Sequence, residues 1–257
     1  ELSMAILYLG SDQPGTGKTA FGITLVDMFR NRGISAAIFK PLASTLNPAD
    51  DRDPISYEIL LNQQPLESPA AIENGITDTI LKNCTSAITK AAQEFDVLVV
   101  EGPSQIPPED AKRIVTALDA KVILIARFVP NMEIDTLSNH GNILNKSLIG
   151  VIVNGLTEYQ TTIPVNNLLN ALAFFELKSL GIIPEDRTLL GLTVPQVVEA
   201  VDGKLAGLQL AQSAGYRVES DSVCNKSRGI FCLNNSFAKM NITKFNYLSH
   251  NFFFCII

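Results

Sequence analysis

Short runs of consecutive apolar residues alternate along most of the chain with segments in which apolar residues recur at helical spacing. The short runs predict strands, because a strand that is covered on both faces is continuously apolar and does not alternate. The predicted strands are residues 5–9, 35–39, 97–101, 122–126, 149–153 and 181–183.

The segments between these runs predict helices. Phe21, Leu25 and Phe29 recur every four residues ahead of Gly33, a residue typical of a helix end. The other predicted helices are the pattern from Ile76 to Ala91 and residues 109–118, 132–144, 168–175 and 194–201. Residues 46–56, rich in Asp, Asn and Pro, predict a loop. Strands separated by helices predict an α/β fold: a doubly wound, mostly parallel sheet with helices on both faces, which binds ligands at the carboxyl ends of its strands.

Composition and charge exclude several classes of function. The chain is 46% hydrophobic and 18% charged, as is typical of globular domains. Its net charge of −6 argues against a nucleic-acid-binding protein that relies on a basic face. No apolar run approaches the roughly 20 residues of a membrane span, and no signal peptide is evident. We therefore expect a cytoplasmic protein that binds neither nucleic acid nor membrane.

The segment after the first predicted strand has the composition of a phosphate-binding loop. A glycine-rich turn lets backbone N–H groups converge on phosphate oxygens, and the helix N-terminus adds partial positive charge. Lys18 can reach the β- and γ-phosphates, and the Thr19 hydroxyl is placed to bind Mg²⁺. The spacing departs from the usual GxxxxGK[ST], whose first glycine falls on Asp12, and the alternative is an ordinary strand-to-helix turn. The predicted phosphate-binding residues are Pro14, Gly15, Thr16, Gly17, Lys18 and Thr19.

Two further strand ends carry charged residues toward the same edge of the sheet. Glu101 ends the strand 97–101, where a carboxylate can bind Mg²⁺ directly or through water, although a surface acid is the alternative. Lys40 follows the strand 35–39 and brings another cation, for which a solvated lysine is the alternative.

Several short segments in a fixed order carry a resemblance to a known family. Besides residues 11–19, they are residues 40–44, 96–104, 117–127, 150–154 and 181–187. Together they resemble the dethiobiotin synthetase-like P-loop proteins, and more narrowly the domain at the N-terminus of long phosphotransacetylases. The resemblance implies ATP and Mg²⁺ as ligands of a P-loop domain that spans residues 4–208.

The resemblance also implies roles for individual residues. Lys18 and Lys40 would act on the transferred phosphoryl group, and Thr19, Asp53 and Glu101 would lie around Mg²⁺. The choice of Asp53 as the second acid at the metal stays open, because Asp50 and Asp51 lie beside it in the sequence.

At the other end of the nucleotide, the resemblance makes Asn154 the residue that recognises adenine, with Pro184 and Glu185 close to the base. A helix N-cap or a turn residue is the alternative for Asn154.

Two functions remain open at this point. In the first, the chain is an ATP-binding regulatory module related to phosphotransacetylase, without the acetyltransferase domain, so that its partners are the nucleotide and either that domain or a second copy. In the second, it is an ATP-dependent ligase of the dethiobiotin synthetase type that acts on an amine, carbamate or carboxylate. The stretch Pro103-Ser104-Gln105, which replaces a glycine-rich stretch of the synthetases, favours the first.

The C-terminal segment differs from the rest of the chain. Residues 222–257 contain no Asp or Glu, although the chain has 26 of them, and hold three of the four cysteines. No helical or strand period is sustained there. We expect residues 209–257 to be disordered or foreign to the domain, as in a truncated or frame-shifted gene product.

Overall fold

The computed structural model gives the chain in two units, residues Glu1–Glu185 and Asp186–Ile257. The described residues are 4–43, 47–64, 66–67, 70–72, 75–104, 106–129, 132, 134–156 and 162–185. For residues 162–164 the backbone alone is described, and beyond residue 185 the same holds for five short strands.

The first unit is built around a sheet whose strands follow the apolar runs of the sequence, which are mostly buried in β1 to β5 and partly exposed in the edge strand β6. These strands are β1 Ala5–Gly10, β2 Ala36–Phe39, β3 Val97–Glu101, β4 Lys121–Arg127, β5 Leu148–Leu156 and β6 Ser179–Pro184. They lie in the order β2-β3-β1-β4-β5-β6, and every pairing is parallel. The strand order reverses beside β1, so the loop after β1 opens at the position where sheets of this kind bind ligands.

Helices cover both faces of this sheet. They are α1 Lys18–Arg30, α2 Asp53–Leu61, α3 Asp78–Ala92, α4 Pro108–Ala117, α5 Ile134–Leu144 and α6 Thr162–Phe174. Successive side chains of a strand point to opposite faces. Accordingly, Leu9 packs in one cluster with residues of α1 and α2, and Tyr8 in another with residues of α3, α4 and α5. The predicted fold class, a doubly wound parallel sheet with helices on both faces, is confirmed.

The prediction of a loop over residues 46–56 is wrong for residues 53–56. A 3₁₀ turn covers Pro48–Asp50, and α2 begins at Asp53. Pro54 lies in the first turn of α2, where a backbone N–H has no helical acceptor, so the proline does not interrupt the helix. Helix α2 then buries Tyr57 and Leu61 against the sheet.

The side chain of Gln63 covers the outer edge of β2. Its Oε1 accepts a hydrogen bond from the backbone N–H of Ile38 at 2.9 Å, and its Nε2 donates to the carbonyl of Ile38 at 2.7 Å. Since β2 is the last strand on this side of the sheet, these backbone groups have no strand neighbour. The Gln63 amide takes the place of one.

Replacing Gln63 by alanine is therefore expected to lower the free energy of unfolding by about 1 to 3 kcal/mol, because it leaves buried backbone groups without partners. Urea unfolding measures the change. Gln64→Ala is the matched control, since Gln64 is the exposed neighbour, and it is expected to change stability by less than about 0.5 kcal/mol. Equal losses in the two variants would contradict this role of Gln63.

The second unit is described only through short strands. Strand β7 Leu192–Thr193 pairs with β9 Arg217–Val218, and β8 Leu205–Ala206 and β10 Phe231–Leu233 both pair with β11 Phe254–Ile256. The predicted helix at residues 194–201, and the prediction for residues 209–257 apart from these strands, lie outside the described residues. Within the part of the chain that is described, no helix is long and apolar enough to cross a bilayer.

Candidate functional site

The loop between β1 and α1 has a backbone conformation that requires its glycines. Gly15 has φ +71° and Gly17 has φ +92°, values that L residues rarely adopt. Apart from chain neighbours, no heavy atom of the described residues lies within 4 Å of the position that a Cβ on Gly15 would take. Helix α1 begins directly after Gly17, and its first backbone N–H groups have no helical acceptor. The loop thus offers an open cradle next to a helix N-terminus, which favours anions.

Lys18 is held inside this cradle by two serine hydroxyls. Its Nζ donates to Ser11 Oγ at 2.7 Å and to Ser104 Oγ at 3.2 Å, and the residue is 4% exposed. Burial lowers the pKa of the ammonium, while the charge of Glu101 opposes that effect. Both hydroxyls are neutral, so an anion would bind this ammonium more strongly than they do.

The first turn of α1 meets two carboxylates at the end of β3 and the start of α2. The Thr19 hydroxyl lies 3.0 Å from Glu101 Oε1 and 3.1 Å from Asp53 Oδ1. Tyr57 donates to Glu101 Oε2 at 2.6 Å. Glu101 is buried, which raises the pKa of its carboxyl, as does the neighbouring charge of Asp53, whereas the hydrogen bond from Tyr57 lowers it. The surface-acid alternative for Glu101 is wrong.

The oxygens of Thr19, Asp53 and Glu101 fit Mg²⁺, which binds through one or two carboxylates and keeps several waters. Within the described residues, no group of three or more His, Cys, Asp and Glu could hold a metal ion. A metal at this point would therefore complete its coordination with water and with oxygens of a bound ligand, which is how Mg²⁺ accompanies phosphates.

Lys40 also lies at this edge of the sheet, with its ammonium buried between acids. Its Nζ lies 2.8 Å from Asp51 Oδ2 and contacts the Asp53 carboxylate as well. Burial by itself would lower the pKa of Lys40, but its hydrogen bonds with Asp51 and Asp53 raise the pKa overall. The solvated-lysine alternative is therefore wrong. The Asp53 carboxylate contacts both Lys40 and Thr19, whereas the Asp51 carboxylate contacts Lys40 and is not the acid at Thr19.

Asn154 joins the end of β5 to the glycine-rich loop. Its Nδ2 donates to the carbonyl of Thr16 at 2.9 Å, and a Cβ on Gly17 would lie 2.4 Å from that nitrogen. Asn154 lies within β5, so the N-cap and turn alternatives are wrong, while its contact with adenine stays a prediction. Pro184 ends β6, and Glu185 follows it and accepts from Arg127 at 2.7 Å.

The glycine-rich loop, Lys40 and the acids around Thr19 line a cleft of about 390 Å³, which Asn154, Pro184 and Glu185 do not line. Its lining is Gly15, Thr16, Gly17, Lys18, Thr19, Lys40, Asp50, Asp51, Arg52, Asp53, Glu101 and Ser104. In the loop itself, Thr16 Oγ1 and Asp12 Oδ1 are buried without a hydrogen-bond partner among the described residues. Buried polar atoms without partners are uncommon, and water or a bound ligand often supplies the missing contact.

The sequence prediction missed three contributors to this site. Ser104 lies in the segment 96–104 that carries the family resemblance, but its contact with Lys18 spans 86 residues of chain. Tyr57 lies on α2, a helix that was not predicted. Arg127 directly follows the predicted strand 122–126, and the ion pair that orients it involves Glu185, which follows another strand.

The parallel sheet, the glycine-rich loop at its switch point, and the lysine and threonine that begin α1 define a P-loop NTPase domain. A family model described as an AAA domain matches residues 6–191. The chain therefore belongs to this family.

Two curated relatives of the chain are both named phosphate acetyltransferase. That of Nitrosomonas europaea is 24% identical over 229 residues, which is 79% of this chain and 32% of that protein. That of Pseudomonas aeruginosa is 29% identical over 128 residues, which is 44% of this chain and 18% of that protein. The chain thus spans a third or less of the length of these relatives.

Similar solved structures include the kinase domain of the Escherichia coli tyrosine kinase ETK. It has a TM-score of 0.43 and 16% identity, covering 62% of this chain and 70% of that one. The signal recognition particle receptor FtsY from Elizabethkingia anophelis has a TM-score of 0.41 and 12% identity, covering 59% of this chain and 50% of that one.

Proposed function

We propose that the first unit binds ATP together with Mg²⁺ and serves as a regulatory nucleotide-binding module. One observation carries this proposal: the open glycine-rich loop lies between a buried ammonium, that of Lys18, and the hydroxyl–carboxylate group of Thr19, Asp53 and Glu101. Backbone N–H groups and Lys18 would hold the phosphates. Thr19, Asp53 and Glu101 would hold Mg²⁺, which neutralises charge on phosphate oxygens.

The ion pairs of Lys40 support the regulatory assignment. A ligase that phosphorylates a carboxylate or carbamate needs cations free to stabilise the transferred group. Here the Lys40 ammonium is already neutralised by Asp51 and Asp53. The dethiobiotin synthetase-like ligase is kept as the second candidate because a second cleft of about 390 Å³, lined in part by Lys40, Asp51 and Glu58, adjoins the first. Its acids suit an amine substrate.

Calorimetric titration with ATP in the presence of Mg²⁺ tests the proposal. We expect saturable binding of one nucleotide for each chain, weaker binding of ADP, and no measurable binding of AMP, which lacks the phosphates that Lys18 would contact. Equal affinities for ATP and AMP would contradict the placement of the phosphates in the loop.

A phosphate-release assay separates the two candidate functions. The regulatory module is expected to show slow or negligible ATP turnover, with or without diaminopelargonate. Turnover that rises with diaminopelargonate would favour the ligase.

The partner that we propose for the module is an acetyltransferase domain, in view of the two relatives named phosphate acetyltransferase. A second copy of this chain is the other candidate partner. Light scattering with and without Mg-ATP measures the association of two copies of the chain directly.

A further inference from the structure

The position of the carboxylates gives the direction in which a nucleotide bound with Mg²⁺ would run. Glu101 ends β3, and Asp53 begins α2, so the metal-binding oxygens lie on the β3 side of the loop. A Mg²⁺ held by Thr19, Asp53 and Glu101 would neutralise the terminal phosphates on this side of the loop. The α-phosphate and the nucleoside would then extend in the opposite direction, toward the ends of β4, β5 and β6.

Arg127 lies at that end of the sheet, where its guanidinium is fixed by neighbours on the next two strands. It ends β4 and is paired with Asn154 of β5, the residue that contacts the glycine-rich loop. One guanidinium nitrogen donates to Glu185 Oε1 at 2.7 Å. Glu185 is held in turn, because its backbone N–H donates to the carbonyl of Leu156 at 2.7 Å.

The guanidinium plane packs with one face on Gly155. A Cβ on Gly155 would lie 2.6 Å from Arg127 Cζ, 2.7 Å from Nη1 and 2.9 Å from Nε. Because the central carbon is the nearest of the three atoms, this position lies above the plane and not beside its edge. Only glycine permits such contact, and Gly155 also has φ +84°. The side chain of Arg127 remains 34% exposed.

We propose that Arg127, oriented by Glu185 and supported by Gly155, is the platform on which the nucleotide base stacks. This inference rests on the proposed function, since it concerns the same nucleotide. A guanidinium plane stacks on aromatic rings, and stacking of this kind accepts any base because every base has a π face. The platform thus favours nucleotides over bare polyphosphates without choosing sharply between adenine and guanine.

Calorimetry with two probes, Mg-ATP and Mg-tripolyphosphate, separates the base from the phosphates. Arg127→Ala is expected to weaken ATP binding by about 10-fold or more, the amount that base stacking typically contributes. Its affinity for tripolyphosphate, which has no base, is expected to stay at the wild-type value, which also shows that the variant is folded. GTP binding should weaken by the same factor as ATP binding.

Two further variants serve as controls. Arg127→Lys keeps the charge but lacks the plane, and it is expected to bind ATP as weakly as Arg127→Ala. Arg32→Ala removes an exposed arginine elsewhere and is expected to bind both probes like the wild type.

The outcomes distinguish this inference from the proposed function. Unchanged ATP affinity in Arg127→Ala, recovery of that affinity in Arg127→Lys, or an equal loss for both probes would overturn the stacking role while leaving nucleotide binding in place. A wild-type chain that binds neither ATP nor tripolyphosphate would overturn the proposed function, and the inference with it.

Discussion

Replacing Lys18 by alanine is expected to weaken the binding of Mg-ATP by about 100-fold, because the loss of one partner in a buried, charge-assisted contact costs roughly 2 to 5 kcal/mol. The ligand-free protein is expected to lose no stability. In that state the ammonium is buried against the hydroxyls of Ser11 and Ser104, and burial lowers its pKa, so its charge is a cost to the fold.

Thermal unfolding with and without Mg-ATP measures both effects in one experiment. At an ATP concentration of 100 times the wild-type Kd, ligand binding adds about 2.7 kcal/mol to the stability of the wild type. For a variant that binds 100-fold more weakly, the same concentration adds only about 0.4 kcal/mol. The shift in Tm should therefore almost disappear in Lys18→Ala.

Lys82→Ala is the matched control for this experiment. Lys82 lies exposed on α3, so its replacement makes the same change in net charge without touching the loop. Its ligand-dependent shift should equal that of the wild type. Equal shifts in Lys18→Ala and Lys82→Ala would mean that the phosphates do not contact Lys18.

The parts of this protein that the sequence predicted are those set by local pattern. The strands from β1 to β6 follow continuous apolar runs, and α1 follows apolar residues at helical spacing behind Gly-Lys-Thr. Because parallel strands all present their carboxyl ends at one edge, the sequence alone places the loop of residues 11–17, Lys40 and Glu101 at a common edge.

The parts that were missed depend on how an element is oriented or on residues far apart in the chain. Which of Asp50, Asp51 and Asp53 contacts Thr19 depends on where α2 begins, and the prolines around these acids concealed that helix. The same error concealed Tyr57. No local pattern could show that Lys40 would be neutralised by two acids, because any lysine after a strand has the same sequence context.

Replacing Glu101 by glutamine is expected to stabilise the ligand-free protein while removing the contribution of Mg²⁺ to ATP binding. Glu101 is only 2% exposed, and burial raises the pKa of its carboxyl, so the ionised form is costly to keep in the fold. A neutral amide of the same shape avoids that cost, and we expect the free energy of unfolding to rise by at least about 1 kcal/mol, roughly the free energy of one pKa unit. Urea unfolding without nucleotide or metal measures the gain.

Titration of the protein with ATP, once in Mg²⁺ and once in EDTA, measures how much Mg²⁺ contributes to ATP binding. The wild type is expected to bind at least about 10-fold more tightly with Mg²⁺, a difference of roughly 1.4 kcal/mol. Glu101→Gln should bind equally in both conditions, because an amide brings no charge to the metal. Glu94→Gln, an exposed position with the same change in charge, should behave like the wild type. If ATP binding to Glu101→Gln kept the full effect of Mg²⁺, the metal would have to lie elsewhere. If Glu101→Gln were less stable than the wild type, the contacts of the carboxylate with Tyr57 and Thr19 would have to outweigh the cost of burying its charge.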